Sequence, residues 1–270
     1  MSSLLVRLFG WRATLHHGDA LVYDRWRWIS RRLRYTRNNE RLLDVGCGSG
    51  AFTIGTAKLG YRSLGLSWDE RNQQVAEERA RVTGAKSAVF EICDVRELDQ
   101  RDAYRGQFDV ILCTENIEHI IDDFRLVRAM AGCLKPGGRL LLTSPQIRRL
   151  PQSSMDFGPF PDVEDGRHVR RGYNKTMLKE LCDNAGLVVE EISYISGPIA
   201  QTHAWLLWQV GRFTHPLIGW LVSLPLRPLP PLFDPMLTRI TGYPPFCIGL
   251  EAMKPRVPMA RLQVQRAAAE

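Results

Sequence analysis

Leu42-Leu43-Asp44-Val45-Gly46-Cys47-Gly48-Ser49-Gly50 decides the fold of this chain. A short apolar run reads as a buried strand, and three glycines at every second position follow it. Lacking Cβ atoms, Gly46, Gly48 and Gly50 reach positive φ at little cost and let main-chain N–H groups close on a bound molecule. The next run, Ala51 to Leu59, reads as a helix on the far side of that turn. A glycine loop alone is a weak signal, and this G-x-G-x-G spacing differs by one residue from the G-x-G-x-x-G dinucleotide fingerprint.

Working outward, strand-like and helix-like runs alternate. Residues 61–66 read as a second strand and 86–92 as a third, ending at Cys93-Asp94-Val95. Phe108 to Cys113 is a fourth buried run, and Leu134-Lys135-Pro136-Gly137-Gly138 is a turn before a fifth at 139–144. Helices fit near 70–82, 121–134 and 174–185. A sixth strand fits 187–194, and the best seventh is 246–253. The alternation predicts an α/β, doubly wound, Rossmann-like sheet of seven strands.

The nine-residue opening string resembles motif I of the class I S-adenosylmethionine-dependent methyltransferases, and the other landmarks extend the likeness over about residues 41 to 195. The likeness is greatest to the methyltransferase type 11/12 and ubiquinone-pathway O-methyltransferase group. It implies that S-adenosyl-L-methionine lies against Asp44, Gly46, Cys47, Gly48 and Gly50, with Val95 and Glu115 also lining the pocket. It further implies that Asp94 accepts a hydrogen bond from the adenine amino group. One position departs from the pattern. Most relatives hold the ribose with an acid two residues after the glycine of strand two, and this chain has Ser67 there. Either Asp69 reaches the ribose from the next turn, or Ser67 and Asn72 share it; Asp69 also suits the cap of a helix starting at Glu70.

Ligands in a doubly wound sheet bind beyond the carboxyl ends of the strands, where Glu115-Asn116-Ile117-Glu118-His119 sits. One helical turn brings Glu115 and Glu118 toward the same pocket, with the imidazole of His119 beside them. Two mechanisms fit. His119 serves as general base toward an acceptor hydroxyl, oriented by Glu118 or Glu115. Alternatively Glu115, Glu118 and His119 bind a divalent cation with His168, which follows strand five on a loop. Carboxylate and imidazole ligands suit Mg²⁺, Mn²⁺ or Zn²⁺ alike. The E-x-x-E-H string with a distant histidine is similar to metal-dependent small-RNA 3′-terminal 2′-O-methyltransferases. Arg167, Arg170 and Arg171 around His168 suit either an anionic substrate group or ordinary solvated loop charges.

The 270 residues and 44% hydrophobic content are enough for a sizeable core and exclude a disordered or fibrous chain. Cysteines 47, 93, 113, 133, 182 and 247 contain no C-x-x-C pair, which argues for reduced thiols in a cytoplasmic setting rather than a disulfide framework. No secretory leader is expected, because charged residues break the first thirty positions. Residues 1–41 carry nine arginines and three acids, which supplies most of the net charge of +7. Such a segment suits an anionic partner, or arginines paired with acids of the same protein.

Five regions are expected: an N-terminal cap of two helices over 1–38 with Leu4, Leu5, Leu8 and Phe9 on one face, the core over 39–196, an insertion over 197–245, the returning strand over 246–256, and a tail over 257–270. The insertion holds Trp205, Trp208 and Trp220 within sixteen residues and is followed by prolines, with no uninterrupted apolar span of about 20 residues. It suits a lid over a lipophilic substrate, a contact with a membrane surface such as the inner membrane face, or a dimer interface. The expected activity is methyl transfer to an oxygen of a lipophilic small molecule: a quinone, isoprenoid, polyketide or lipid-linked sugar. Methylation of an RNA end is the runner-up, and a non-catalytic cofactor-binding regulator or scaffold a third reading.

Overall fold

The computed structural model describes residues 3–17, 20–37, 39–151 and 154–256. The tail expected over 257–270 and the side chains of Leu4, Leu5 and Trp220 lie outside the described residues. In chain order the elements are α1 (Ser3–Phe9), α2 (Arg12–His17), α3 (Ala20–Arg32), β1 (Arg41–Val45), α4 (Ala51–Lys58), β2 (Arg62–Ser67), α5 (Glu70–Thr83), β3 (Ala88–Ile92), β4 (Phe108–Thr114), α6 (Asp123–Cys133), β5 (Leu134–Pro145), α7 (Lys175–Asn184), β6 (Val188–Ile195), α8 (Pro198–Phe213), α9 (Pro216–Ser223), α10 (Leu229–Thr241) and β7 (Cys247–Met253). Short 3₁₀ turns link several of them.

The seven strands form one sheet in the order β3-β2-β1-β4-β5-β7-β6. β1 to β5 run parallel, and β7 lies antiparallel between β5 and β6. The order reverses beside β1, between β2 and β4, and so places the glycine turn at the crevice where such sheets bind ligands. Period-two alternation divides the core between two faces. Leu43, Val45, Ile111, Cys113, Leu140 and Leu142 face α6 and α7. Leu42, Val110, Leu112 and Leu141 face the side covered by α3. All six cysteines are free, and five are buried.

The N-terminal region departs from a two-helix cap. Gly10, at φ 72°, ends α1, and a new turn opens α2, so three helices precede β1. On α1 it is Val6 that is buried, whereas Leu8 and Phe9 face solvent. α3 is a layer of the core rather than a cap. Trp28, Ile29 and Leu33 are buried in the core cluster beside the sheet and Trp26 against α4, where it stacks on Phe52, and the Trp28 indole N–H donates to Ser193 Oγ at 2.6 Å. A Cβ on Gly55 would lie 2.5 Å from Trp26, and one on Gly249 2.7 Å from Trp28, so both indoles need those glycines. Among the N-terminal arginines, Arg25, Arg27 and Arg32 form ion pairs within the protein, while Arg31, Arg34 and Arg37 are exposed.

The turn expected before strand five belongs to β5 itself. Gly137, at φ 81°, bends the strand where its N–H donates to the Lys254 carbonyl. Three helices occupy the segment between β6 and β7. No helix among the described residues is long and apolar enough to cross a membrane.

Candidate functional site

After β1 the chain turns through Gly46, Gly48 and Gly50, at φ 82°, 49° and 78°. The Gly46 and Cys47 N–H groups both donate to the Leu66 carbonyl, at 3.1 and 2.8 Å, which ties the turn to the end of β2. A Cβ on Gly46 would sit 2.5 Å from the Asn116 side chain, and one on Gly50 2.7 Å from Ala76. One on Gly48 meets nothing within 4 Å, so that flank is open. Thr53 Oγ donates to one oxygen of the wholly buried Asp44 at 2.7 Å. The other oxygen has no hydrogen-bond partner among the described residues. Burial pushes the Asp44 carboxyl up to about 6. A buried acceptor of this kind, at the end of the strand that opens into the glycine turn, fits a ligand that brings a donor or a cation, as the amino-acid end of S-adenosylmethionine does.

Five further sequence-derived residues line the neighbouring turns. Asp69 caps α5, accepting from the Arg71 N–H at 2.9 Å and from Asn72 Nδ2 at 2.7 Å. The caps and the Asn72 amide thus occupy the carboxylate, while Ser67, buried at the end of β2, accepts from the Asp69 N–H at 3.2 Å. Asp94 caps the turn after β3, and its carboxylate is gripped by the Arg96 guanidinium, which holds its pKa low. Arg96 also reaches Glu164 at 2.8 Å, linking the turn to the loop after β5. Val95 is buried beside it.

At the exit of β4 the expected constellation divides. Glu115 sits at φ 47° and turns toward β5 and α3: Thr143 Oγ donates to it at 3.2 Å, and Arg25 pairs with it at 3.0 Å. Glu115 is therefore not among the groups that converge for a metal. Glu118, His119 and His168 are; each offers a ligand atom within 4.8 Å of the others. A 3₁₀ turn over Ile117–His119 carries the first two away from Glu115, and the loop brings His168 with its ring centroid 4.7 Å from that of His119. The Val169 N–H donates to the Glu118 carbonyl at 3.0 Å and fixes that approach.

Glu118 is fully buried; Ser144 Oγ donates to one oxygen at 3.3 Å, and the other lacks a partner among the described residues, as does His119 Nδ1. Desolvation, then the Glu115 charge, raises the Glu118 carboxyl well above the usual range. Burial, then the charge of His119, lowers His168 to about 4, so its imidazole is neutral at physiological pH. A neutral imidazole, a second with an unpartnered nitrogen and a buried carboxylate can hold a cation or move a proton.

The loop's arginines serve the fold. Arg167 pairs with Asp165, Arg170 with Asp123, and Arg171 donates to the Arg149 carbonyl at 3.0 Å. Sequence reasoning missed Arg25, which no local motif distinguishes among nine N-terminal arginines, and Ser144, an unremarked strand residue.

A family model described as a methyltransferase domain matches residues 16–192. The ubiquinone biosynthesis O-methyltransferase of Marinobacter nauticus is 34% identical over 120 residues, which are 44% of this chain and 49% of that protein, so the match spans about half the relative's length. The protein of the same name from Acinetobacter baumannii (strain AYE) is 33% identical over 184 residues, 62% of this chain and 71% of that protein. Among solved structures, phosphoethanolamine N-methyltransferase 2 of Haemonchus contortus with S-adenosyl-L-methionine aligns at TM-score 0.59 and 19% identity, covering 86% of this chain and 53% of that one. The cyclase SpnF aligns at 0.58 and 20% identity, covering 87% and 82%. Likeness at that level shows the fold alone, and one fold serves several reactions.

Proposed function

The chain belongs to the class I S-adenosylmethionine-dependent methyltransferases, and from that premise we propose that it methylates an oxygen of a lipophilic, hydroxylated small molecule. The observation that carries the reading is the convergence of Glu118, His119 and His168 at the exit of β4, where the neighbouring Asn116 lies against Gly46 of the glycine turn. The O-methyltransferase names of relatives about one-third identical support oxygen as the acceptor atom.

In this reading the cofactor supplies an electrophilic sulfonium methyl. Gly46, Cys47 and Gly48 hold it along the turn, Asp44 takes a donor from its amino-acid end, and Ser67 with Asn72 lies by the ribose. Asp94 and Val95 flank the adenine, with Arg96 steadying the carboxylate. Arg25 neutralises Glu115 and fixes it beside β5. The acceptor hydroxyl sits at His119, whose imidazole takes the proton as the methyl bonds to oxygen, leaving S-adenosylhomocysteine. Most of the acceleration comes from alignment of the reacting atoms. The test compares kcat/KM for a phenol with that for the same phenol bearing an isoprenoid tail. A rise of at least about tenfold is expected from burying the tail; equal values would refute the lipophilic preference.

The three converging ligand atoms favour a second reading of the same site, with Glu118, His119 and His168 holding a divalent cation. When bound, such an ion supplies Lewis acidity toward the acceptor hydroxyl. Removal by a chelator should abolish transfer and Mg²⁺, Mn²⁺ or Zn²⁺ restore it; full activity after chelation would leave His119 as the base. Methylation of an RNA end is not favoured, because the relatives carry small-molecule names and the loop's arginines are spent on internal pairs.

A further inference from the structure

The segment between β6 and β7 carries three helices whose apolar stripes face outward. On α10, Leu229, Leu232, Phe233, Met236 and Ile240 follow i, i+3, i+4, i+7, i+11 spacing, and all are exposed, Ile240 to 71%. The opposite face is pinned inward by Asp234. Its buried carboxylate accepts from the backbone N–H groups of Gly197, Ile199 and Ala200 and so caps the start of α8. The inner face of α8 is small or polar, with Ala200, Gln201, His203 and Ala204 buried, two of them against Ala20 and Leu21 of α3. Its outer face shows Trp205, Trp208 and, at 79% exposure, Phe213. On α9, Ile218, Leu221 and Val222 are likewise exposed. Many exposed large apolar side chains on three neighbouring helices mark a contact site.

Charge identifies the occupant. Across residues 197–245 the only acid is Asp234, which is turned inward, while Arg212 and Arg239 are exposed. Arg212 lies over the rings of Trp208 and Phe213, at 6.0 and 5.9 Å. Beside α10, a cleft between it and α3 is lined by Arg31 and by Arg27, which is paired with Asp24, together with Pro231 and Pro235. Exposed tryptophans with adjacent arginines, an apolar stripe and no outward acid on these three helices fit the headgroup boundary of an anionic bilayer. A helix too short and too interrupted to span lies in that plane.

We propose that α8, α9 and α10 dock this protein on the surface of a membrane rich in anionic phospholipid. The inference stands apart from the identity of the methyl acceptor, so the two are tested separately. The full chain is sedimented with vesicles of phosphatidylcholine alone and with about one-third phosphatidylglycerol added. Most of the protein should pellet with the anionic vesicles, little with the neutral ones, and binding should weaken in about 1 M salt. The double substitution Trp208→Glu with Leu232→Glu should lower the bound fraction at least about tenfold. Its heat of S-adenosylhomocysteine binding should stay unchanged, which separates lost docking from lost folding. Wild-type protein that binds S-adenosylhomocysteine yet stays in the supernatant with anionic vesicles overturns the proposal. So does a dimer, by light scattering, that the double substitution dissociates without any lipid binding in either form.

Discussion

Replacing Gly48 with alanine separates a glycine kept for the ligand from glycines kept for the fold. At φ 49° an alanine costs about 1 to 2 kcal/mol of backbone strain. Its methyl group meets no protein atom within 4 Å, so no packing cost is added. For a chain of this size that strain lowers Tm by roughly 2 to 8 °C, and the protein still folds. The new methyl projects into the open flank of the glycine turn. If the cofactor lies there, the overpacking costs about 1 to 3 kcal/mol of binding, roughly 5- to 150-fold in Kd. The assay is calorimetric titration of S-adenosylhomocysteine, paired with thermal melting. Gly46→Ala and Gly50→Ala make the contrast, since their methyl groups would overlap Asn116 and Ala76 and should disturb folding itself. A Gly48→Ala protein that melts as expected but binds with Kd within about twofold of wild type would refute the cradle.

Arg25→Ala leaves Glu115 partly buried and without its guanidinium partner; we expect a loss of about 2 kcal/mol, seen as a lower Tm, with Arg25→Lys recovering part of it. The His168 imidazole should stay neutral down to about pH 4, against an ordinary value near 6.5, as followed by its ring-proton NMR shift. Between those values the unfolded chain binds the extra proton, so the His168 contribution to stability falls as pH drops from 6.5 toward 4. His168→Gln should remove that part of the acid sensitivity, and an unchanged pH profile of melting would count against a buried neutral ring.

Much of this architecture is legible because its signals are local. The strand, glycine turn and helix around Gly46 to Gly50, the spacing of the strands and the long segment before β7 are all written in contiguous residues. What escapes is set by partners distant in sequence. α3 reads as an appended helix until Gly55 and Gly249 are seen to make room for Trp26 and Trp28. Arg25 acquires a role only from Glu115, ninety positions later, and Glu115 leaves the cation-competent group because its positive φ turns it toward Thr143. Asp69 suits a ribose contact and a helix cap equally well by residue type, and only the hydrogen bonds from Arg71 and Asn72 show the cap. The loop arginines resemble a binding patch in sequence because their acids, Asp165 and Asp123, can be matched to them only in space.

The most direct measurement follows a labelled methyl group from S-adenosylmethionine in the presence of an apolar phenol extract and, separately, of RNA. The account expects the label to leave the cofactor and reappear in the organic phase as an aryl or alkyl methyl ether, in step with S-adenosylhomocysteine. Label recovered in RNA, or left wholly on a cofactor that the protein nonetheless binds, would contradict it.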